Sequence, residues 1–204
     1  MRHKIDVILF DGFELLDVFG PVEFFGTLPE HYEITYVAEQ PGPVRSSQGA
    51  EVIAEEPLSP ARASDLLLIP GGAGTRRLVT DTRFLTQLTE RANHATVVTS
   101  VCTGSAVLAA AGLLTGYRAT SNKQAFEWAT QFGSDVTWEP SARWVHDRDR
   151  WTSSGVAASM DMAGALIADR LGHDVAEAVA FDLEIELQRD PARDPFAHRL
   201  GLTS

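Results

Sequence analysis

The sequence predicts an α/β three-layer sandwich, a mostly parallel sheet with helices on both faces and a small antiparallel hairpin. Two observations predict this class. Apolar runs of strand length alternate along the chain with segments of helical pattern. The most continuous run, residues 66–69, is typical of a strand buried on both faces. Strands that alternate with helices form parallel sheets through right-handed crossovers, so ligand sites are expected at the carboxyl ends of the strands.

The first part of the chain predicts four strand regions. An apolar run ends at Asp11-Gly12, and Gly20-Pro21 marks the start of a helix because proline is favoured in the first helical turn. After Pro41-Gly42-Pro43, two short extended pieces are predicted to pair as a hairpin. In order, the elements are a strand at 5–10, a helix around 21–25, a strand at 32–38, the hairpin around 44 and 52–53, and a strand at 66–69.

The second part continues the alternation and ends in helices. Asp81 is a helix-capping residue type at the start of a periodic segment. A turn at residues 146–149 predicts an antiparallel hairpin beside the parallel sheet. In order, the elements are a helix at 81–94, a strand at 96–101, helices at 103–114 and 122–132, strands at 136–138, 143–145 and 151–152, and helices at 159–171 and 174–188.

Composition limits the possible classes of function. With 204 residues and 44% hydrophobic content, we expect one domain over 1–190 and a polar tail over 191–204. A net charge of −11 argues against a nucleic-acid partner, which needs a basic face. No run approaches the ~18 apolar residues of a membrane span and no apolar signal region begins the chain, so we expect a cytoplasmic protein without a membrane partner.

Cys102 is the single cysteine and the strongest candidate for a catalytic residue. It lies where an apolar strand meets a small-residue helix, so unpaired N–H groups of the helix start are expected to favour its thiolate at neutral pH. The alternative is that Cys102 is simply a small buried hydrophobe. A single cysteine also excludes an internal disulfide and paired-cysteine zinc sites, and no histidines have metal-ligand spacing, so no metal is expected.

Three loops, at 11–20, 70–75 and 102–105, are predicted to converge at the carboxyl ends of the strands. Gly71 and Gly72 allow backbone to approach a ligand closely, and the amides of Gly72 and Thr103 are candidates for a two-donor pocket. The alternative is a tight turn without a binding role. The glycine loop matches neither a P-loop nor a dinucleotide fingerprint, so no nucleotide cofactor is expected.

Asp17 is the candidate acid. It is predicted to lie just ahead of the first helix, where a carboxyl can face the same end of the sheet; its alternative role is helix capping. If Asp17 lies beside Cys102, an ionised carboxylate and a thiolate would repel each other. A protonated Asp17 that donates a hydrogen bond to the thiolate is therefore the favoured arrangement. Glu14 is expected to be solvated.

The ordered motifs at 16–21, 70–72, 99–104 and 110–116 together resemble the ThiJ/PfpI superfamily. The resemblance covers about residues 4–188 and implies a flavodoxin-like sheet within the class I glutamine-amidotransferase-like fold, commonly assembled as a homodimer. Residues 99–104, Asp17 and residues 41–44 resemble the isocyanide hydratase (isonitrile hydratase) branch. Protease-like members carry His where this chain has Thr103, and glyoxalase-like and deglycase-like members usually carry Glu where Asp17 stands.

The resemblance implies a cofactor-independent hydratase that converts isocyanides to N-substituted formamides through a thioimidate. Cys102 is then the nucleophile, Asp17 moves the proton, and Gly72 and Thr103 stabilise developing charge. Gly71 and Phe19 are predicted to contact the substrate, and so is Asn122, which stands where hydratase-like relatives often carry His. Related regulators have a C-terminal helix-turn-helix region, which is not expected here.

Two other classes remain open from the sequence. A glyoxalase-like or deglycase-like enzyme would use the same cysteine on small aldehydes. A non-enzymatic redox sensor would use the thiolate as its site of oxidation.

Overall fold

A central seven-stranded sheet, with strands in the order β10-β11-β7-β6-β1-β2-β5, organises the computed structural model, which describes residues 2–202. Every neighbouring pair in this sheet is parallel except β10 with β11, which is antiparallel. The strands are β1 (His3–Ile8), β2 (Tyr32–Ala38), β3 (Gly42–Arg45), β4 (Glu51–Ala54), β5 (Glu56–Pro57), β6 (Ser64–Ile69), β7 (Ala95–Ser100), β8 (Arg118–Ala119), β9 (Thr137–Trp138), β10 (Trp144–Asp147) and β11 (Arg150–Ser153).

Helices cover the sheet in two groups. Helix α6 contacts both α1 and α7, and α2 contacts both α3 and α4. Right-handed crossovers place the two groups on opposite faces, because the chain moves outward from β1 in one direction to β2 and in the other to β6 and β7. The helices are α1 (Leu15–Gly26), α2 (Thr75–Leu78), α3 (Thr82–Ala92), α4 (Gly104–Ala110), α5 (Phe126–Ala129), α6 (Ala158–Leu171), α7 (His173–Asp182) and α8 (Pro195–Arg199).

The predicted fold class is therefore confirmed. The innermost strands β1, β6 and β7 carry buried side chains on both faces, which is why they appear in the sequence as continuous apolar runs. The predicted small hairpin is formed by β3 and β4, and β10 and β11 form the second one at the sheet edge. No helix in residues 2–202 combines the length and apolar character that crossing a bilayer requires.

Several predicted helix boundaries are wrong. Helix α1 begins at Leu15, so Pro21 lies inside it and Asp17 lies in its first turn instead of ahead of it. Helix α4 ends at Ala110, because Gly112 adopts a φ of 74° and the chain turns there. Only residues 126–129 of the predicted helix at 122–132 are helical, and α7 ends at Asp182 instead of 188.

The segment predicted as a polar tail carries structure up to residue 202. Asp194 caps the short helix α8 by accepting a hydrogen bond from the Phe196 N–H at 2.8 Å, and the Arg143 N–H donates to the Pro191 carbonyl at 2.7 Å. Arg143 also forms a buried ion pair with Asp161 at 2.7 Å and approaches Asp194 at 3.7 Å. These contacts dock the segment against the sheet edge at β10.

Candidate active site

Cys102 occupies a sharp turn between β7 and α4 that holds its backbone in the left-handed region, with a φ of 55°. Its N–H donates to the carbonyls of Ser153 and Ser154, both at 3.2 Å, and its carbonyl accepts from the hydroxyls of Ser105 and Ser121, both at 3.1 Å. A non-glycine residue in this conformation is costly, so these four hydrogen bonds are needed to hold it. They fix the direction in which the sulfur projects above the sheet.

Asp17 lies in the first turn of α1 and has no exposed surface. Its Oδ2 accepts a hydrogen bond from the Gly71 N–H at 2.8 Å, while the buried Oδ1 has no hydrogen-bond partner among residues 2–202. Burial and the nearby charge of Glu14 raise the pKa of Asp17 to about 7, although hydrogen bonds from Gly71 and Cys102 oppose this rise. The carboxyl is thus positioned to exchange a proton near neutral pH.

The Cys102 thiol is 6% exposed. Burial first, and then the negative charge of Asp17, raise the pKa of Cys102 to about 12. The backbone N–H groups of Thr103 and Val156 and the Asn122 amide lower that pKa, as the start of a helix predicts, but they do not outweigh burial. This direction is opposite to the thiolate expected from the sequence. In the free site the sulfur holds its proton, and Asp17 is the group that can accept it.

The glycine loop after β6 meets this pair as predicted. A Cβ on Gly71 would lie 2.6 Å from the Thr103 N and 2.9 Å from Asp17 Oδ2, so only glycine fits between the Cys102–Thr103 turn and the carboxyl. The Gly72 N–H donates to Thr103 Oγ1 at 3.2 Å, and that hydroxyl also accepts from Thr75 Oγ1 at 3.1 Å. The Gly72 amide is therefore engaged by Thr103, and it becomes available to a ligand only when that hydrogen bond breaks.

Asn122 is brought to the site and Phe19 is not. The Asn122 Nδ2 donates to the Cys102 Sγ at 3.1 Å, and its Oδ1 accepts from the Ala125 N–H, which orients the amide. Phe19 stacks near the Tyr36 ring, with centroids 6.2 Å apart. It lies two positions beyond Asp17 on α1, about 200° further around the helix, so it does not join Asp17 at the cleft. The predicted substrate contact of Phe19 is not supported by this placement.

An open cleft of about 490 Å³ lies over Cys102. Several residues that line it have no predicted role at the site; Glu14 and Ala73 lie in loops predicted to converge here, and the others lie outside those loops. Glu14 donates its N–H to the Gly71 carbonyl at 2.8 Å, and its carboxylate accepts from Gln48 Nε2. The Arg76 guanidinium lies 3.3 Å from the centre of the Trp128 ring and brings positive charge to the rim. The other residues missed are Ala73, Gln124, Ala125 and Val156.

Fold and site together define an α/β protein with a buried cysteine and carboxyl at a strand-to-helix turn. The chain matches the DJ-1/PfpI family over residues 3–169 and belongs to that family.

Three relatives illustrate the range of similar proteins. An isonitrile hydratase from Pseudomonas putida is 34% identical over 184 residues, covering 90% of this chain and 79% of that protein. The crystal structure of a ThiJ/PfpI family protein from Pseudomonas syringae superposes with a TM-score of 0.83 and 32% identity, covering 92% of this chain and 77% of that one. The HTH-type transcriptional regulator GbdR from Pseudomonas aeruginosa is 31% identical over 207 residues, which cover 98% of this chain and 56% of the regulator.

Proposed function

We propose that this protein is a cysteine-dependent hydratase that converts isocyanides to N-substituted formamides. The observation that carries the proposal is the buried pair of Cys102 and Asp17, in which a carboxyl with a pKa of about 7 accompanies a protonated nucleophile. An isocyanide carbon must gain both a nucleophile and a proton, and such a pair supplies the two from one site. The similarity to the isonitrile hydratase supports the same assignment.

In the first step the Asp17 carboxylate accepts the thiol proton as the Cys102 sulfur bonds to the terminal carbon. The unpartnered Oδ1 is the oxygen available for this transfer, since Oδ2 is held by Gly71. Asp17 then gives the same proton to that carbon. The product of the step is a thioimidate, in which carbon carries the sulfur and one hydrogen and is doubly bonded to nitrogen, and Asp17 is again ionised.

In the second step Asp17 takes a proton from water as the water oxygen bonds to the thioimidate carbon, and that proton passes to the nitrogen. The resulting tetrahedral carbon carries a hydroxyl and the sulfur. When the carbon–sulfur bond breaks, the hydroxyl proton returns to sulfur through Asp17, which leaves the formamide and the original thiol. One isocyanide and one water are consumed for each formamide formed.

The surrounding groups have supporting roles in this proposal. The Thr103 N–H and the Asn122 amide both point at the sulfur and stabilise negative charge on it as the carbon–sulfur bond forms and breaks. Gly71 holds Asp17 Oδ2, and Thr103 Oγ1 holds the Gly72 amide in the same loop. Homodimer assembly and a cytoplasmic location remain predictions from the sequence.

The direct test is incubation with a small isocyanide and, separately, with methylglyoxal, followed by measurement of formamide and hydroxyacid. We expect formamide from the isocyanide, and no formamide from Cys102→Ala, which stays folded because Ala only shortens the side chain. Formation of hydroxyacid alone would replace the proposal with glyoxalase-like chemistry. Unchanged turnover by Cys102→Ala would eliminate the nucleophile.

A second candidate function is a domain that binds a small molecule without converting it. The observation that favours it is the 31% identity to GbdR, a transcriptional regulator, across 98% of this chain. The same incubation separates the two candidates. An isocyanide that protects Cys102 from alkylation, but is recovered unchanged, would favour the binding domain.

A further inference from the structure

A second groove, about 430 Å³ in volume, opens beside the Cys102 cleft. The two spaces share Asn122, Gln124 and Val156, so they adjoin at these residues, of which Asn122 and Val156 donate hydrogen bonds to the sulfur. The groove runs away from Cys102, between residues 154–157 on one side and α8 on the other. Its volume is within the range of small-molecule sites in proteins.

Helix α8 supplies an apolar wall to this groove. Phe196 and Leu200 line it while 50% and 48% exposed, respectively, and they are two of the five large hydrophobic residues exposed within residues 2–202. Exposed apolar side chains that face a concave surface next to a reactive group are typical of a ligand site. Both spaces also carry charged residues, Lys123 and Arg199 in the groove and Glu14 and Arg76 in the Cys102 cleft, but only the groove is lined by large apolar side chains.

The wall is fixed in place by buried polar contacts. Asp194, whose side chain is 0% exposed, caps α8, and its backbone N–H donates to the Ser141 carbonyl at 2.8 Å. Ala197, about 100° further around α8 than Phe196, is buried. The helix is thereby anchored with Phe196 and Leu200 directed outward, which suits them to contact a ligand.

We propose that this groove holds the apolar substituent of the substrate, and that Phe196 and Leu200 determine which substituents are accepted. The inference rests on the proposed function. An isocyanide is linear from its terminal carbon through nitrogen to the substituent, so the substituent must extend away from Cys102 while sulfur attacks the carbon. The groove beyond Asn122 and Val156 offers Phe196 and Leu200 as apolar contacts for it, although Lys123 and Arg199 also line this space.

The test compares kcat/KM for cyclohexyl isocyanide with that for methyl isocyanide. We expect Phe196→Ala and Leu200→Ala to lower the ratio of the two values by about tenfold, because each removes apolar contact that only the large substituent makes. The fall should come mainly from the value for cyclohexyl isocyanide, because a methyl substituent is too short to make the same contacts. Phe181→Ala is the matched control, since Phe181 is 82% exposed on α7 and lines neither space. An unchanged ratio in the Phe196 and Leu200 variants would overturn the inference.

A second measurement separates failure of the groove from failure of the proposed function. Cys102 can be alkylated by N-cyclohexylmaleimide and by N-methylmaleimide without any turnover of an isocyanide. The rate with the cyclohexyl reagent divided by the rate with the methyl reagent should be lower in Phe196→Ala than in wild type, and the same as wild type in Phe181→Ala. If isocyanides are not converted, this ratio still decides the role of the groove. If neither ratio changes and sedimentation shows that Phe196→Ala weakens self-association, the groove is an interface between copies and the inference is wrong.

Discussion

Cys102 and Asp17 are two buried acids in one site, and the charge of Asp17 makes ionisation of Cys102 harder. The Asp17 charge raises the pKa of Cys102, and burial raises the pKa of Asp17 to about 7. Three protonation states follow with increasing pH: both groups protonated, then Asp17 alone ionised, then both ionised. The proposed reaction needs the middle state, in which the carboxylate can accept the thiol proton.

The first prediction is a pH dependence of isocyanide hydration. We expect kcat/KM to rise as pH increases through about 7, where Asp17 ionises, and then to reach a plateau. Glu14→Gln removes a charge that raises the pKa of Asp17, so the rise should move to lower pH. Rates across the pH range, measured for both proteins, check this. A profile that is flat near pH 7, or one that Glu14→Gln moves upward, would contradict the assignment of Asp17.

The second prediction is that Asp17→Asn lowers turnover by at least ~100-fold, the usual contribution of a general acid–base. The asparagine retains an acceptor for the Gly71 N–H but transfers no proton. Alkylation of Cys102 at pH 8 should become faster, because the negative charge that raises the pKa of the thiol is gone. Initial rates and alkylation rates are measured together. Near wild-type turnover in this variant would reduce Asp17 to a structural residue.

The same substitution should stabilise the fold. The pKa of Asp17 rises from 3.8 to about 7 on folding, so its contribution favours the folded state below pH 3.8 and is lost as pH rises to 7. The loss amounts to at most ~4 kcal/mol. We therefore expect urea denaturation to show Asp17→Asn more stable than wild type at pH 8, with the difference vanishing near pH 4. Lower stability of the variant at pH 8 would contradict this third prediction.

At the residue scale, the sequence predicted which residues would lie together at the candidate site. Cys102, Thr103 and Gly71 do so because they follow the buried strands β7 and β6. Asp17 reaches them from the first turn of α1, and Asn122 from the segment after β8. The ionisation of Cys102 was not predictable, because burial depends on the whole fold. Arg76 on α2 and Val156 were missed for the same reason: their position at the cleft comes from tertiary contacts.

At the scale of the elements, strands were easier to predict than helix ends. The half-buried strand β2 has the predicted bounds, and β1 and β6 lie within two residues of theirs. The start of α1 was missed because Glu14 makes no side-chain capping hydrogen bond and Pro21, a usual helix-start signal, lies in the helix interior. Residues 183–188 belong to the helix predicted at 174–188 but lie beyond the end of α7, which stops at Asp182.

The fourth prediction concerns Gly104, at the start of α4, where the helix packs closely against the end of β6. A Cβ on Gly104 would lie 2.4 Å from the Ile69 carbonyl oxygen and 2.8 Å from that of Pro70, so Gly104→Ala must displace backbone. We expect it to destabilise the fold by about 1–3 kcal/mol, the usual cost of overpacking. Gly26→Ala is the control, because nothing lies within 4 Å and alanine is the better helix former. Thermal unfolding measures both; an equally stable Gly104→Ala would contradict the close approach.

At the scale of the whole molecule, the C-terminal segment is joined to the sheet edge by few but buried contacts. Asp194 connects α8 to Arg143, and Arg143 connects to Asp161 on α6. Removal of the Asp194 carboxylate takes away the helix cap and one side of this network while the pair of Arg143 and Asp161 remains. The segment is thus expected to detach without unfolding of the sheet.

The fifth prediction tests this detachment. In Asp194→Ala, limited trypsin digestion should cleave after Arg199 several-fold faster than in wild type, because loss of a cap destabilises a short helix by ~1 kcal/mol. Mass spectrometry identifies the fragment, and circular dichroism checks that the rest stays folded. Asp190→Ala is the control, since Asp190 is exposed and contacts only the Ala192 N–H through its side chain. Equal cleavage in the two variants would show that Asp194 does not hold the segment.

The burial of Asp17 has a consequence for anyone who wishes to engineer this protein. Screening a library of variants for heat resistance at alkaline pH selects substitutions that remove the buried charge. Asp17→Asn removes it in a single substitution. Such a screen would enrich inactive proteins first. Selection for robustness therefore has to be combined with a readout of turnover, or carried out near pH 4, where the buried carboxyl no longer disfavours folding.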